Sequence, residues 1–542
     1  MKKAMFVFGL AIAAGLVVGP VGFSLLGLAF LNFAPIGASL GTTYSTVNTT
    51  TNAGYVTENS QVKEQLWIER VLSTNGASVQ STPFADGMTG RVIAGKPAND
   101  SQLNKAVIEV MNTSKMRGDT INFFSYAGIG GEGATGDNVR RGTEAQIHTG
   151  NLQVTIGNQI FSVGYKQSAV DKSMIGKDLV SNAWLNEQLR NLHNKRKNNT
   201  IIMRMIQAAG GTALGGTAIG ANNLLRPEGV ATRDALKTAD SVDLSLIQYA
   251  GQYLPGLGAM PMDTTQDSGG SVGELFMFFT SDKALVDFES DPTNTNILQY
   301  GWDRGANNPI FGGGFTKVRG HGLYRWIHRD HANMDSIGSP LLPRAKLSVA
   351  LTGANTGSII QGGGLTAAEN PTDTIPQWFH CFSNAPYVMY GGVNNIPADT
   401  STDRYVMILN PTGSYAVYNY RVNDGNKITI LARVSIGKGT ESNNHPVGAL
   451  IVECNANGVP FGRSLMLGAQ AVVGGIGSIN GNPADPQVGV IRKEELDLGN
   501  DIAIGVEGCA GYAAVTRAGD GAYPGFVVIE HAVHVPGAPV IS

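Results

Sequence analysis

Charge is scarce in this sequence of 542 residues, where Asp, Glu, Lys and Arg together make up 15%, against about 25% in an average soluble domain. The balance is nearly neutral, with a formal net charge of −3. That excludes a global basic field for nucleic acid, so any such contact has to be local. Cysteine is scarcer still: Cys381, Cys454 and Cys509 are widely spaced and odd in number. They form no CxxC pair and suggest no disulfide framework. A reducing compartment is the simpler expectation. No GxSxG elbow is present, and no nucleophile–base constellation appears. A hydrolase reading therefore has little to rest on, and no catalytic residue or cofactor is expected.

Glycine is what the sequence has in excess, at 71 residues, roughly twice the usual share. Apolar and aromatic content is ordinary, so the chain can build a core. Its length exceeds what one compact core usually holds, and two or more packed units are expected. Few charges and many glycines suit a protein covered by its neighbours. They equally suit a glycine-rich β protein that stays alone.

Lys2 and Lys3 are followed by an apolar run from Ala4 to about Leu31, interrupted by Gly19-Pro20. This reads as a signal-like, membrane-anchoring or assembly-related extension over residues 1–42. Thr, Asn and Ser dominate from 41 to 65, as in an extended arm. Gln61 to Leu72 and Ser101 to Met111 read as short helices, with Ser101 as an N-cap. Thr120 to Tyr126 and Asn151 to Tyr165 read as strands flanking the glycine-rich loop Ala127 to Gly142. A long helix is expected over Val170 to Gln207, with a broad apolar stripe and a basic second half. Leu244 to Tyr253 reads as a helix, Glu274 to Thr280 as a buried strand, and Ser281-Asp282 opens another helix. Gly322 to His328 reads as a strand.

From about Asn333 to Gly458 helix signals vanish. Arg404 to Leu409, Tyr415 to Val422 and Lys427 to Val434 read as strands, the last two joined by the turn Asn423-Asp424-Gly425-Asn426. Arg463 to Val473 reads as a helix. The alternation at Ile502, Ile504 and Val506 reads as a strand, and Phe526 to Val535 as a closing one.

The side chains that could carry chemistry have plainer explanations. His321, His328, Asp330, His331 and Asp335 lie close in sequence, but their spacing fits no closed metal geometry. Glu530, His531 and His534 alternate across a strand and read as solvated or interface-facing. The G-x-G-x-x-G letters from Gly128 have no following phosphate-binding helix. Arg190 to Lys197 is a local basic run that could meet phosphate without sequence preference, or be a solvated helix face.

The stretch from Gly118 to Ser168, GDTINFFSYAGIGGEGATGDNVRRGTEAQIHTGNLQVTIGNQIFSVGYKQS, resembles the extended loop of the major capsid family typified by coliphage N-four. AWLNEQLRNLHNKR (Ala183 to Arg196) resembles that family's spine helix, and NNPIFGGGF (Asn307 to Phe315) its peripheral-domain signature. RSLMLGAQAVVGG (Arg463 to Gly475) and GFVVIEHAV (Gly525 to Val533) resemble its late helix and closing strand. The order of elements is similar to the Hong Kong 97-type capsid fold of tailed phages. The resemblance covers about residues 43–330 and 460–535. The apolar extension is not part of the family pattern, and the stretch near 333–458 is longer than the family connection.

The resemblance implies an α+β fold. Its parts are an N-terminal arm (43–117), an extended hairpin loop (118–169), a spine helix (170–208), and peripheral and axial domains (209–332 and 459–542). The stretch 333–458, where helix signals vanish, reads as an inserted β-rich domain outside the family pattern. The resemblance implies a major capsid protein that assembles with itself into hexamers and pentamers of an icosahedral shell around double-stranded DNA. The virion is the expected location, with assembly in the bacterial host cytoplasm. Portal, decoration and scaffolding proteins are the implied partners, and membrane contact falls to residues 1–42. Assembly contacts are expected at Arg117, Gly118, Asp119, Arg140, Arg141, Glu144, Trp184, Asn308, Pro309 and Phe311. Arg190, Lys195, Arg196 and Lys197 are the expected DNA-facing residues. Two other readings stay open here. One is an encapsulin-like compartment shell, separable by its cargo. The other is an exported, membrane-anchored β-rich surface protein, separable by membrane fractionation.

Overall fold

The computed structural model describes residues 84, 88–93, 96–97, 102–116, 118–126, 149–156, 161–168, 183–210, 223–266, 272–291, 317–318, 321–326, 340–347, 349–361, 404–424, 427–478, 488–496, 501–508, 510–517 and 521–541. The chain divides into two units. One takes in residues 1–71, 165–182 and 493–503, and its described residues are strand segments only. The other takes in 72–164, 183–492 and 504–542, and everything below concerns it. The fold is mixed α+β, with many strands and few helices.

Three sheets dominate. The five-stranded sheet has the order Lys96–Pro97, Thr89–Ile93, Val107–Met116, Val472–Ser478, Ala510–Ala514. Its three middle strands run parallel, in the register Thr89↔Val107 and Val107↔Val472. The mixed six-stranded sheet has the order Lys317–Val318, His321–Trp326, Met277–Ser281, Phe461–Leu467, Phe526–Ala532, Leu224–Leu225. The third sheet is antiparallel throughout and six-stranded: Arg344–Lys346, Leu450–Cys454, Tyr405–Leu409, Tyr415–Asp424, Lys427–Val434, Ile359–Gln361. All its strands come from one stretch of chain.

The helices follow from local chemistry. Helix α1 spans Ala183–Gly210. Lys197 to Met203 are buried on every side, as expected of a helix enclosed by its own fold. It packs on the strands Val472–Ser478, Ala510–Ala514 and Phe526–Ala532. Residues 170–182 of the expected long helix lie outside the described residues, as do the apolar extension, the expected helix at 61–72 and the glycine-rich loop. Helix α2 spans Leu244–Gly256, capped by Asp243, whose carboxylate accepts the Leu246 amide at 2.8 Å. Helix α3 spans Asp282–Ser290, capped by Ser281. Such caps contribute about 1 kcal/mol each. Leu246, Ile247 and Leu254 of α2, with Ala284, Leu285 and Phe288 of α3, cover one face of the mixed sheet.

Two expected helices are strands. Ser101 to Met111 holds the start of Val107–Met116, and Arg463 to Val473 holds most of Phe461–Leu467 and the start of Val472–Ser478. Both are interior strands with neighbours on each edge. Strands covered on both faces lose the period-two signature and read like buried helix.

Candidate functional site: a buried ionic cluster and the assembly segments

Glu530 lies on Phe526–Ala532, directly across the ladder from Arg463. Both side chains are buried because strands flank them and both sheet faces are covered. Arg226 grips one Glu530 oxygen through Nη2 at 2.8 Å and Nε at 3.1 Å. Arg233 Nη2 donates to the other at 2.5 Å, and Arg463 Nε stands 3.8 Å from it. The Arg233 guanidinium also covers the Phe461 ring, 4.6 Å from its centroid. Burial alone would raise the Glu530 carboxyl, but the Arg233, Arg463 and Arg226 charges outweigh it and hold it down at about 2.

The cluster continues into the antiparallel sheet. Arg463 Nη2 lies 3.7 Å from the Glu453 carboxylate, which accepts the Tyr420 hydroxyl at 3.2 Å. Next to it, Asn455 Nδ2 donates to the carbonyls of Arg233 and Leu236 at 3.2 and 2.9 Å. Its Oδ1 accepts the Val459 amide at 2.9 Å. Charge-assisted bonds, about twice as strong as neutral ones, tie the 226–236 segment to the mixed sheet at Glu530, while the antiparallel sheet joins through the longer Arg463–Glu453 ion pair and the neutral Asn455 bonds.

Glu530 and His531 were expected to be solvated or interface-facing. Both are buried inside the chain, because their strand is interior rather than an edge. His534 is exposed. His531 Nδ1 donates to the Ala532 carbonyl at 3.0 Å. That leaves Nε2 to accept from the Ser464 hydroxyl at 2.9 Å, which pairs with Thr280 at 2.7 Å. Burial drives the imidazole down to about 4. Ser464 and His531 are both closed off from solvent, so this pair is a satisfied polar core contact.

Lys197 was expected to face DNA. Its ammonium instead lies 2.5 Å from Glu109, sealed between α1 and the five-stranded sheet. A solvent-facing role requires an outer helix face, and this stretch has none. Trp184, Arg190, Lys195 and Arg196 lie on α1, and their side chains fall outside the described residues. So do Arg117, Arg140, Arg141, Glu144, Asn308, Pro309 and Phe311, together with His328, Asp330, His331 and Asp335. His321 is half-buried against Phe276, with ring centroids 6.2 Å apart. Among the described residues, no group of three or more His, Cys, Asp or Glu side chains could hold a metal, and no helix is long and apolar enough to cross a membrane.

Gly118 and Asp119 open the hairpin Thr120–Tyr126/Thr149–Thr155. Gly118 takes φ +87° and donates to the Ile156 carbonyl at 3.0 Å, while Ile156 donates to the Asp119 carbonyl at 2.8 Å. Ile121, Val154 and Ile156 point to the five-stranded sheet. Gly511 permits the approach, since a Cβ there would stand 2.0 Å from the Thr155 carbonyl oxygen. Phe124 points the other way and is 82% exposed. Phe124, Arg226 and Arg233 were not singled out by sequence, and Glu530 was read only as solvated or interface-facing. The adjacent phenylalanines 123 and 124, which a strand must point to opposite faces, were the one available signal.

Among the described residues the chain pairs buried charges internally and leaves one aromatic side chain exposed on the hairpin. Residues 57–317 match the model of a family described as phage capsid protein. No curated protein matches the chain. Among solved structures, the chain is similar to the capsid of Ralstonia phage GP4, at 13% identity and a TM-score of 0.46, over 90% of this chain and 99% of that one. It is similar to the acidic stable capsid structure of Helicobacter pylori bacteriophage KHP30, at 10% identity and a TM-score of 0.47, over 89% and 99%. It is also similar to the capsid of Cyanophage Pam1, at 12% identity and a TM-score of 0.46, over 86% and 96%. The matched stretch covers just under half of this chain.

Proposed function

We propose that this chain is the major capsid protein of a tailed phage, built on the Hong Kong 97-type fold and related to the coliphage N-four family. Identical copies form the hexamers and pentamers of an icosahedral shell enclosing double-stranded DNA. The observation that carries the reading is the phage capsid family match over residues 57–317. The stretches Gly118 to Ser168 and Ala183 to Arg196 support the finer family by their resemblance.

In this reading the parts keep the bounds given above: arm 43–117, extended loop 118–169, spine helix 170–208, and peripheral and axial domains 209–332 and 459–542. The antiparallel sheet, drawn from a single stretch of chain, supports an inserted β-rich domain at 333–458, exposed for decoration or contact between capsomers. Copies make heterologous contacts that close into a shell. The hairpin lies over a neighbouring copy, and Phe124 is the side chain it offers there. Arg190, Lys195 and Arg196 face packaged DNA, whereas Lys197 does not. Portal, decoration and scaffolding proteins complete the particle, which assembles in the host cytoplasm, with residues 1–42 as the segment able to meet a membrane.

Electron microscopy and size-exclusion chromatography of the purified full chain test the reading. Capsomers or closed shells are expected. A monomer under every condition, with the chain missing from virions, overturns it.

A further inference from the structure

Beyond the strand Phe526–Ala532, the chain runs from Val533 to Ile541 without regular secondary structure. It leaves the mixed sheet, with the Val533 amide on the Pro460 carbonyl at 3.0 Å and the His534 amide on the α3 carboxylate of Asp287 at 2.7 Å. It then crosses one face of the antiparallel sheet. There Val535 is buried in a cluster with Met407, Val417, Val452 and Cys454. A turn follows, closed by the Ala538 amide on the Val535 carbonyl at 3.0 Å. The segment ends on Thr238, whose hydroxyl accepts the Ile541 amide at 2.8 Å and whose amide donates to the Ile541 carbonyl at 3.1 Å.

This crossing is lightly held. Of the residues from His534 to Ile541 only Val535 is fully buried, while His534, Pro536, Gly537 and Val540 are exposed. Its hydrogen bonds are separate anchors rather than a ladder, and both sheets beneath have complete ladders of their own. Segments with few buried contacts open locally, at lower free energy than the core. Val535 shares its cluster with a thiol, Cys454, that is buried from solvent.

We propose that His534–Ile541 is a strap over the antiparallel sheet that opens on its own, uncovering the apolar face around Val452 and Cys454 while both sheets stay folded. The strap stands on geometry independent of the capsid reading. In the open conformation the apolar strip is exposed while neither sheet unfolds.

Alkylation of Cys454 in the native full chain tests this, read by peptide mass spectrometry beside hydrogen exchange. Val535→Ala trims the one buried anchor and is expected to speed Cys454 labelling at least tenfold. Amide protection in Tyr415–Asp424 and Phe526–Ala532 is expected to hold. Thr238→Ala, which removes only the hydroxyl anchor, is expected to give about a threefold rise and serves alone if the first variant does not fold. Labelling that stays at the native rate in the folded variants overturns the strap. So does labelling that rises only together with loss of protection in both sheets.

Discussion

The Lys197 ammonium lies 2.5 Å from the Glu109 carboxylate, with both side chains sealed from solvent. Tyr512 donates its hydroxyl to the same carboxylate at 2.8 Å. One acid thus ties α1 to two strands of the five-stranded sheet. Two desolvated charges stabilise a fold only while each keeps the other, and removing one typically costs about 3–5 kcal/mol. Lys197→Met preserves the stem and strands the acid. Urea unfolding of the purified chain should show a loss in that range, and adding Glu109→Gln should recover more than half. A loss under about 1 kcal/mol would place the pair in water rather than in the core.

Stability should fall with acid in two stages. His445 and His531 are buried and held down to about 4, chiefly by burial. His445 Nδ1 donates to the Asn410 amide oxygen at 2.8 Å, and Nε2 accepts the Tyr418 hydroxyl at 2.9 Å, a set satisfied by the neutral ring. An unfolded chain protonates these rings near 6.5, so it takes up protons first. Stability then drops from about pH 6.5 to about 4, by up to roughly 3 kcal/mol per histidine. Glu530 acts lower. Its stabilisation is complete above the ordinary carboxylate range and is lost as pH falls through about 2. Melting temperatures from pH 7.5 to 2 should trace both stages, and His445→Gln should flatten the upper one. A flat profile between pH 7 and 4.5 would contradict the buried neutral histidines.

Gly251 of α2 faces His321, and a Cβ there would stand 2.1 Å from the ring Nε2. Gly251→Ala is expected to destabilise by about 1–3 kcal/mol, as overpacking does. In a His321→Ala background the same change should cost less than about 1 kcal/mol. Equal costs in the two backgrounds, measured by thermal unfolding, would separate the glycine from the histidine.

Phe124→Asp should leave chain stability within about 0.5 kcal/mol, since the side chain is exposed. Particle yield by sedimentation should fall at least tenfold if a neighbouring copy covers this ring. Normal yields would remove Phe124 from the assembly contacts.

Local chemistry was the legible part. The strands Tyr415–Asp424 and Lys427–Val434 pair antiparallel where strands were expected, and Ser281 caps α3 where a helix was expected to open. The helix expected at Arg463 to Val473 failed because Leu, Met, Ala and Gln favour helices in isolation. In the fold, Gln470 turns back at φ +56° and Arg463 and Ser464 find partners among distant strands. The ionic cluster was out of reach for a similar reason. Arg226 and Arg233 meet Glu530 across 304 and 297 residues, and no spacing rule links such positions. Lys197 misled because a basic run on a helix ordinarily marks a wet face.

The five-stranded sheet has a consequence for synthesis. Gln470 reaches the Leu103 carbonyl across 367 residues, and Tyr512 reaches Glu109 across 403. The antiparallel sheet closes within a single stretch and can fold while the ribosome is still at work. The strand Val107–Met116 cannot complete its pairing, since its partner Val472–Ser478 emerges much later. Until then that edge stands open, and open edges pair readily with other chains. A polysome crowded with identical nascent copies is where that exposure matters most, so translation speed between these strands sets how long each chain is at risk of pairing with the wrong copy.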